Sequence, residues 1–171
     1  MKRLARIIES ISNIGGYFAG WLVPLMMVLV LFEVIMRYVV RQPPIIADEV
    51  SGYMLVALSF IALAYTWRER GHVRITALVS RLPARGASWI RLIALVLAFA
   101  FSAVLTQASY DYLAYSFKLH WASPTHLRFP LQGPQMPLLI GFTILTLLLA
   151  MEIAKAIIKM RAGESIEEAT R

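Results

Sequence analysis

Four long apolar segments dominate this sequence and constrain its fold more than any other feature. A helix needs roughly 17–25 mostly apolar residues to cross the ~30 Å hydrocarbon core of a bilayer. Segments of that kind cover residues 15–36, 50–67, 92–110 and 137–154. Because a helix satisfies its backbone hydrogen bonds within one segment, the sequence predicts an all-α integral membrane protein with four transmembrane helices. We expect these to form a single membrane domain over residues 1–171.

The composition excludes several classes of function. Hydrophobic residues make up 59% of the chain and charged residues only 16%, whereas soluble domains carry about 25% charged residues. The net charge of +7 comes from basic residues between the apolar segments, so we expect no nucleic-acid partner. Without any Cys, disulfides and thiolate metal sites are excluded.

Residues with catalytic chemistry form no recognisable pattern. The three histidines, His72, His120 and His126, all fall in connections between the apolar segments, which disfavours a haem held between helices. The sequence contains no nucleophile motif and no glycine-rich phosphate loop. We therefore predict that the protein is not an enzyme and uses no cofactor or metal.

The distribution of Lys and Arg predicts the orientation of the helices. Thirteen of the 17 basic residues lie before the first segment, between the second and third, or after the fourth. The other two connections contain only Arg37, Arg41, Lys118 and Arg128. Since cytoplasmic loops are enriched in basic residues, both termini are predicted to be cytoplasmic.

Two flanking segments have amphipathic patterns. Apolar residues recur at helical spacing in about 3–14 and 73–82, between basic residues, which predicts helices lying in the cytoplasmic interface. We expect the chain to turn into the membrane at Gly15-Gly16, and the fourth helix to begin near Pro137, since proline suits a first turn. For 73–82, a fluctuating basic loop is the alternative.

Four charged residues near the outer ends of the first two segments form a candidate polar site. Glu33 and Arg37 are four residues apart on one helix face, and Asp48 and Glu49 open the second segment. A cluster of these residues would join the two helices. Glu33 could be a proton or cation site, a polar contact to a partner protein, or half of a structural pair. The nearby Arg37 favours the pair, because a proton-coupling carboxylate is usually left unpaired.

Small residues indicate where helices approach closely, because lipid gives no hydrophobic drive for helix association. Gly15, Gly16 and Gly20 in the first segment and Ala62 in the second are candidates for packing within the chain or against a partner. At the inner end of the second segment, Arg68 is explained by membrane anchoring, and His72 remains ambiguous.

The sequence resembles a known family of membrane subunits. The residues that carry the resemblance are FEVIMRY at 32–38, Pro43-Pro44, ADEVS at 47–51, Ala64-Tyr65, Arg68, Gly71-His72-Val73 and Leu82-Pro83. They resemble the small membrane subunit of tripartite ATP-independent periplasmic (TRAP) transporters, the DctQ type. The second half of the chain is similar only in its helix pattern.

The resemblance implies a role beside a larger partner in the bacterial inner membrane. In such systems a periplasmic binding protein delivers an organic acid to a large permease, and a sodium gradient drives uptake. The small subunit acts as a scaffold for the permease, and the binding protein sets the substrate. Glu33, Arg37, Glu49, Arg68 and His72 match the family's recurring polar positions.

The sequence also departs from the family, and other functions stay open. Ile46, Gly52 and Thr76 stand where the family often has Trp, a basic residue and Asp, so contacts by those side chains are in doubt. One alternative is a self-sufficient, proton-coupled exporter acting as a homodimer, and another is a membrane anchor for a different complex. Activity without a partner would distinguish the exporter.

Overall fold

The described part of the chain forms four long α-helices. A computed structural model describes residues 2–42, 46–69, 84–125 and 128–161. The helices are α1 (Lys2–Ile35), α2 (Ala47–Arg68), α3 (Ala84–Leu119) and α4 (Gln132–Arg161), and a π-helical turn, Met36–Val40, extends α1. All four are long and apolar enough to cross a membrane. The prediction of an all-α fold with four such helices is therefore confirmed.

The helices lie side by side in a single layer. α1 packs against α2, α2 against α4, and α4 against α3, with a smaller contact between α1 and α4. Their order across the layer is therefore α1–α2–α4–α3, which leaves α1 and α3 at the two edges. Most large apolar side chains of these edge helices are exposed, as expected for surfaces that meet lipid or another membrane protein.

The predicted turn at Gly15-Gly16 is wrong, because α1 passes through both glycines without interruption. A Cβ atom on Gly15 would lie 3.1 Å from Ile61 of α2, and one on Gly16 would lie 2.5 Å from the ring of Tyr65. These glycines therefore allow α1 and α2 to approach closely. The segment 3–14 is helical but continuous with the first span, and Ile8 is buried against Ala64 and Leu148.

The helices α3 and α4 extend beyond the apolar segments that predicted them. At 36 residues, α3 is about 54 Å long at 1.5 Å per residue. Hydropathy marks only the part of a helix that suits lipid, whereas backbone hydrogen bonding continues into the polar flanks. The predicted start of the fourth helix at Pro137 is also wrong, since α4 begins at Gln132 and contains Pro137.

Hydroxyl groups join α3 to α4 at the middle of their contact. The Ser102 and Thr146 hydroxyls are 2.7 Å apart, and those of Thr106 and Thr146 are 3.1 Å apart. Ser102, Ser109 and Ser116 follow one another at intervals of seven residues, and all three are buried. A seven-residue repeat keeps one face of a helix toward its neighbour, so this serine seam marks the side of α3 that meets α4.

Candidate functional site

Glu33 and Arg37 form an ion pair near the C-terminal end of α1. The Glu33 side chain is only 8% exposed, whereas that of Arg37 is 50% exposed. Because the buried carboxylate has a cationic partner one helical turn away, its charge is compensated within α1. The π-helical turn begins at Met36, and Arg41 ends it in the left-handed conformation with φ of 58°.

Glu49 has different partners from those that the sequence suggested. Its carboxylate accepts hydrogen bonds from Tyr53, one turn along α2, and from Thr125 in the connection between α3 and α4. Among the described residues, neither Asp48 nor Glu49 forms an ion pair with Arg37, so no ion pair joins the acids of α2 to the Glu33–Arg37 pair. The acid at the start of α2 instead reaches across to the α3–α4 connection.

The connection between α3 and α4 is a short hairpin that docks on the start of α2. Ala122 and Pro130 form an antiparallel bridge, and the backbone N–H of Leu131 donates to the carbonyl of Trp121 at 3.0 Å. The rings of Phe129 and Tyr53 lie 5.5 Å apart, which adds an aromatic contact to the hydrogen bond between Thr125 and Glu49. This hairpin therefore joins the C-terminal end of α3 to α2, although those helices are not neighbours in the layer.

A second polar network joins three helices at the opposite end of the layer. Arg68 Nη1 donates to the backbone carbonyl of Glu9 at 3.1 Å, and Trp67 Nε1 donates to Glu152 Oε2 at 3.1 Å. Lys155 Nζ lies 4.0 Å from Glu9 Oε1. These contacts connect α2 with α1 and α4. Sequence reasoning singled out Arg68 here and missed the two acids, because their partners are distant in the chain.

The predicted small residues have different environments. Gly15 and Gly16 contact α2, whereas a Cβ atom on Gly20 would meet nothing within 4 Å. Ala62 is partly buried. Gly141 was missed: a Cβ atom there would lie 2.6 Å from the carbonyl carbon of Phe60. An isolated glycine in an apolar helix often indicates such a contact, so Gly141 could have been found.

Other predicted features fall partly outside the described residues. His72 and the predicted interfacial helix over 73–82 lie outside them, as does His126. His120 ends α3 with φ of 50°. Within the described part of the chain, His, Asp and Glu residues form no group of three or more that could hold a metal ion.

Comparison with known proteins identifies the family. The family model described as "Tripartite ATP-independent periplasmic transporters, DctQ component" matches residues 26–159, which include the paired acid of α1, the docked hairpin and most of α4. The chain belongs to the DctQ family of TRAP transporter components. The matched residues extend well into the second half, where the sequence had suggested a resemblance only by helix pattern.

A curated relative supports the same assignment. A Haemophilus influenzae protein whose name describes it as a TRAP transporter small permease protein is 30% identical over 93 residues. The match covers 54% of this chain and spans about half of the relative, 56% of its length. The DctQ assignment thus rests on the family model, and the relative adds a likeness over part of the chain.

Proposed function

We propose that this chain is the small scaffold subunit of a TRAP transporter in the bacterial inner membrane, with both termini in the cytoplasm. Its partners are a large multi-span permease, a periplasmic binding protein and membrane lipid. The complex would take up an organic acid delivered by the binding protein, using a sodium gradient. Membership of the DctQ family supports this role.

The single-layer arrangement is the observation that carries the proposal. The described helices pack in the order α1–α2–α4–α3, with only a smaller contact between α1 and α4, so they surround no central path. A groove of about 360 Å³ between α1 and α2 is lined only by apolar residues such as Leu25, Phe32 and Met54. A carboxylate or sodium ion would find no polar ligands there. Such a layer is suited to packing beside a transport protein.

The polar contacts of the layer support a rigid scaffold. Glu33 is paired within α1, Glu49 binds the hairpin, and Arg68 donates to α1. Each of these predicted polar residues thus has a partner within the chain. In the proton-coupled exporter alternative, Glu33 would be an unpaired carboxylate, whereas here it forms an ion pair with Arg37.

Purification in mild detergent from the native membrane tests the scaffold role. We expect a much larger polytopic membrane protein to be recovered in stoichiometric amounts. Recovery of a homodimer alone, with transport activity in vesicles containing only this chain, would contradict the proposal and favour the exporter. Fusions of a periplasm-dependent reporter enzyme to each terminus test the orientation, and activity of either fusion would contradict cytoplasmic termini.

Gly20 allows a test of one face of α1 without disturbing the fold. Because a Cβ atom at Gly20 would meet nothing within 4 Å, Gly20→Leu should leave the isolated subunit folded. If this face contacts the permease, the variant should recover less permease than Gly52→Leu, which is also in open space but at the start of α2. Equal recovery would remove the Gly20 face from the interface. Ala62→Leu tests the α2 face, and because Ala62 is partly buried, the folding of the isolated variant must be measured alongside permease recovery.

A further inference from the structure

An exposed polar pair lies on the outer face of α3. Gln107 Nε2 donates to Asp111 Oδ1 at 3.2 Å, and both side chains are exposed. Asp111 is the only Asp, Glu, Lys or Arg between Arg91 and Lys118. A polar pair within a long apolar helix therefore faces away from the rest of the chain.

Helix geometry fixes the direction of this face. Ser109 belongs to the buried serine seam against α4, and Gln107 and Asp111 lie two residues before and after it. At about 100° per residue, each lies within about 20° of the point opposite the seam. Because α3 is an edge helix that packs mainly against α4, the pair points outward from the edge of the layer.

The pair lies at the outer end of the apolar part of α3. Gln107 falls within the third apolar segment, 92–110, and Asp111 is the first residue after it. Gln132 Nε2 donates to the carbonyl of Ser116 at 2.9 Å. On α3, Asp111 and Gln107 are five and nine residues inward from Ser116, which is about 8 Å and about 14 Å along the helix.

Acyl chains cannot satisfy the Gln107 side of this pair. Acyl chains offer no hydrogen bonds, and the single bond from Gln107 leaves most acceptor positions of the Asp111 carboxylate open. Exposed Ser59 on α2 differs, because its hydroxyl donates to the carbonyl of Leu55 at 2.8 Å and needs no other partner. The opposite edge differs too, since residues 15–32 of α1 contain no charged or amide side chain and suit lipid.

We propose that the Gln107–Asp111 face of α3 contacts a transmembrane helix of the partner permease that presents hydrogen-bond donors, a basic or amide side chain among them. This inference rests on the proposed scaffold role, and it assigns the partner to the α3 edge of the layer. The flanking side chains Val104 and Tyr115 are 66% and 60% exposed. They would supply the apolar surround that keeps water from the polar contact.

Substitutions in the intact complex test the contact. In reconstituted membranes, the double variant Gln107→Leu/Asp111→Leu should bind the permease about 3- to 20-fold more weakly, the range expected for interhelical polar contacts. Asp111→Lys should reduce binding further, because it opposes a donor with a cation. The control Ser59→Leu should bind like the wild type. The isolated double variant should be at least as stable as the wild type, since it removes polar groups from lipid.

Photo-crosslinking locates the partner directly. A photoreactive residue at position 104 or 115 should form an adduct with the permease in native membranes. Adducts with lipid alone, or unchanged permease binding by the double leucine variant, would overturn this inference while leaving the scaffold role intact. If the wild-type chain recovers no permease at all, the scaffold role itself fails.

Discussion

The substitution Gly141→Ala tests the closest approach between two helices in the layer. A Cβ atom at position 141 would lie 2.6 Å from the carbonyl carbon and 3.1 Å from the Cβ atom of Phe60. The carbonyl carbon belongs to the backbone of α2, so no rotation of a side chain relieves the overlap. The added methyl group must therefore move α2 away from α4, which also disturbs the contact between the Phe60 and Phe142 rings, now 5.2 Å apart.

A matched glycine isolates the steric part of the effect. Replacing glycine by alanine inside a helix usually favours the helix by about 1 kcal/mol, and Gly20→Ala should show that gain because its Cβ atom is in open space. Overpacking usually costs about 1–3 kcal/mol. The two variants share the helix gain, so their free energies of unfolding should differ by about 1–3 kcal/mol, with Gly141→Ala the less stable.

Reversible unfolding of the purified subunit in mixed micelles measures this difference. Titration with a denaturing detergent, followed by helix content and tryptophan fluorescence, gives the free energy of unfolding for both variants. We expect Gly141→Leu to be less stable still, because its larger side chain must separate the helices further. If Gly141→Ala were as stable as Gly20→Ala within about 0.5 kcal/mol, the close approach of α2 and α4 would be refuted.

Three further predictions concern contacts between named side chains. Arg37→Ala should lower the free energy of unfolding by about 1–3 kcal/mol, because it leaves the buried Glu33 unpaired. Adding Glu33→Gln should restore part of the lost stability. A double-mutant cycle that shows no coupling energy between the two positions would contradict the ion pair. Gly16→Ala should destabilise the wild-type protein but should be tolerated together with Tyr65→Ala, because the new methyl group would overlap the Tyr65 ring, which the second substitution removes. Detergent unfolding of the wild type, the two single variants and the double variant checks this. Trp67→Phe should lower stability by about 0.6–1.7 kcal/mol, because the ring loses its N–H donor to α4, whereas no change would show that this bond contributes nothing.

The sequence predicted the helices well because lipid imposes a simple rule on length and polarity. Each of the four apolar segments lies within one of the observed helices, apart from Met36, which begins the π-helical turn after α1. The spacing of Glu33 and Arg37 already placed them on one face. The sequence predicted the ends of the helices less well. Hydropathy detects where lipid begins, whereas a helix ends where its backbone finds other partners, as at His120 and Arg41.

The turn expected at Gly15-Gly16 shows how one residue type supports two interpretations. Glycine permits a turn, and it also permits a neighbouring helix to approach closely. The side chains of Ile61 and Tyr65 decide between them, and they lie some 45 to 50 residues further along the chain. The hydrogen bond between Thr125 and Glu49 depends in the same way on residues 76 positions apart.

The sequence by itself determined that this protein is a four-helix membrane protein, and it pointed to the DctQ family, because both depend on local composition and short motifs. Only the tertiary structure decided the order α1–α2–α4–α3, the partner of Glu49, and the outward direction of Gln107 and Asp111. Those features depend on which helix packs beside which. Because lipid gives apolar helices no hydrophobic drive to associate, steric fit and polar contacts between residues far apart in the chain decide the arrangement. No local sequence pattern indicates these contacts.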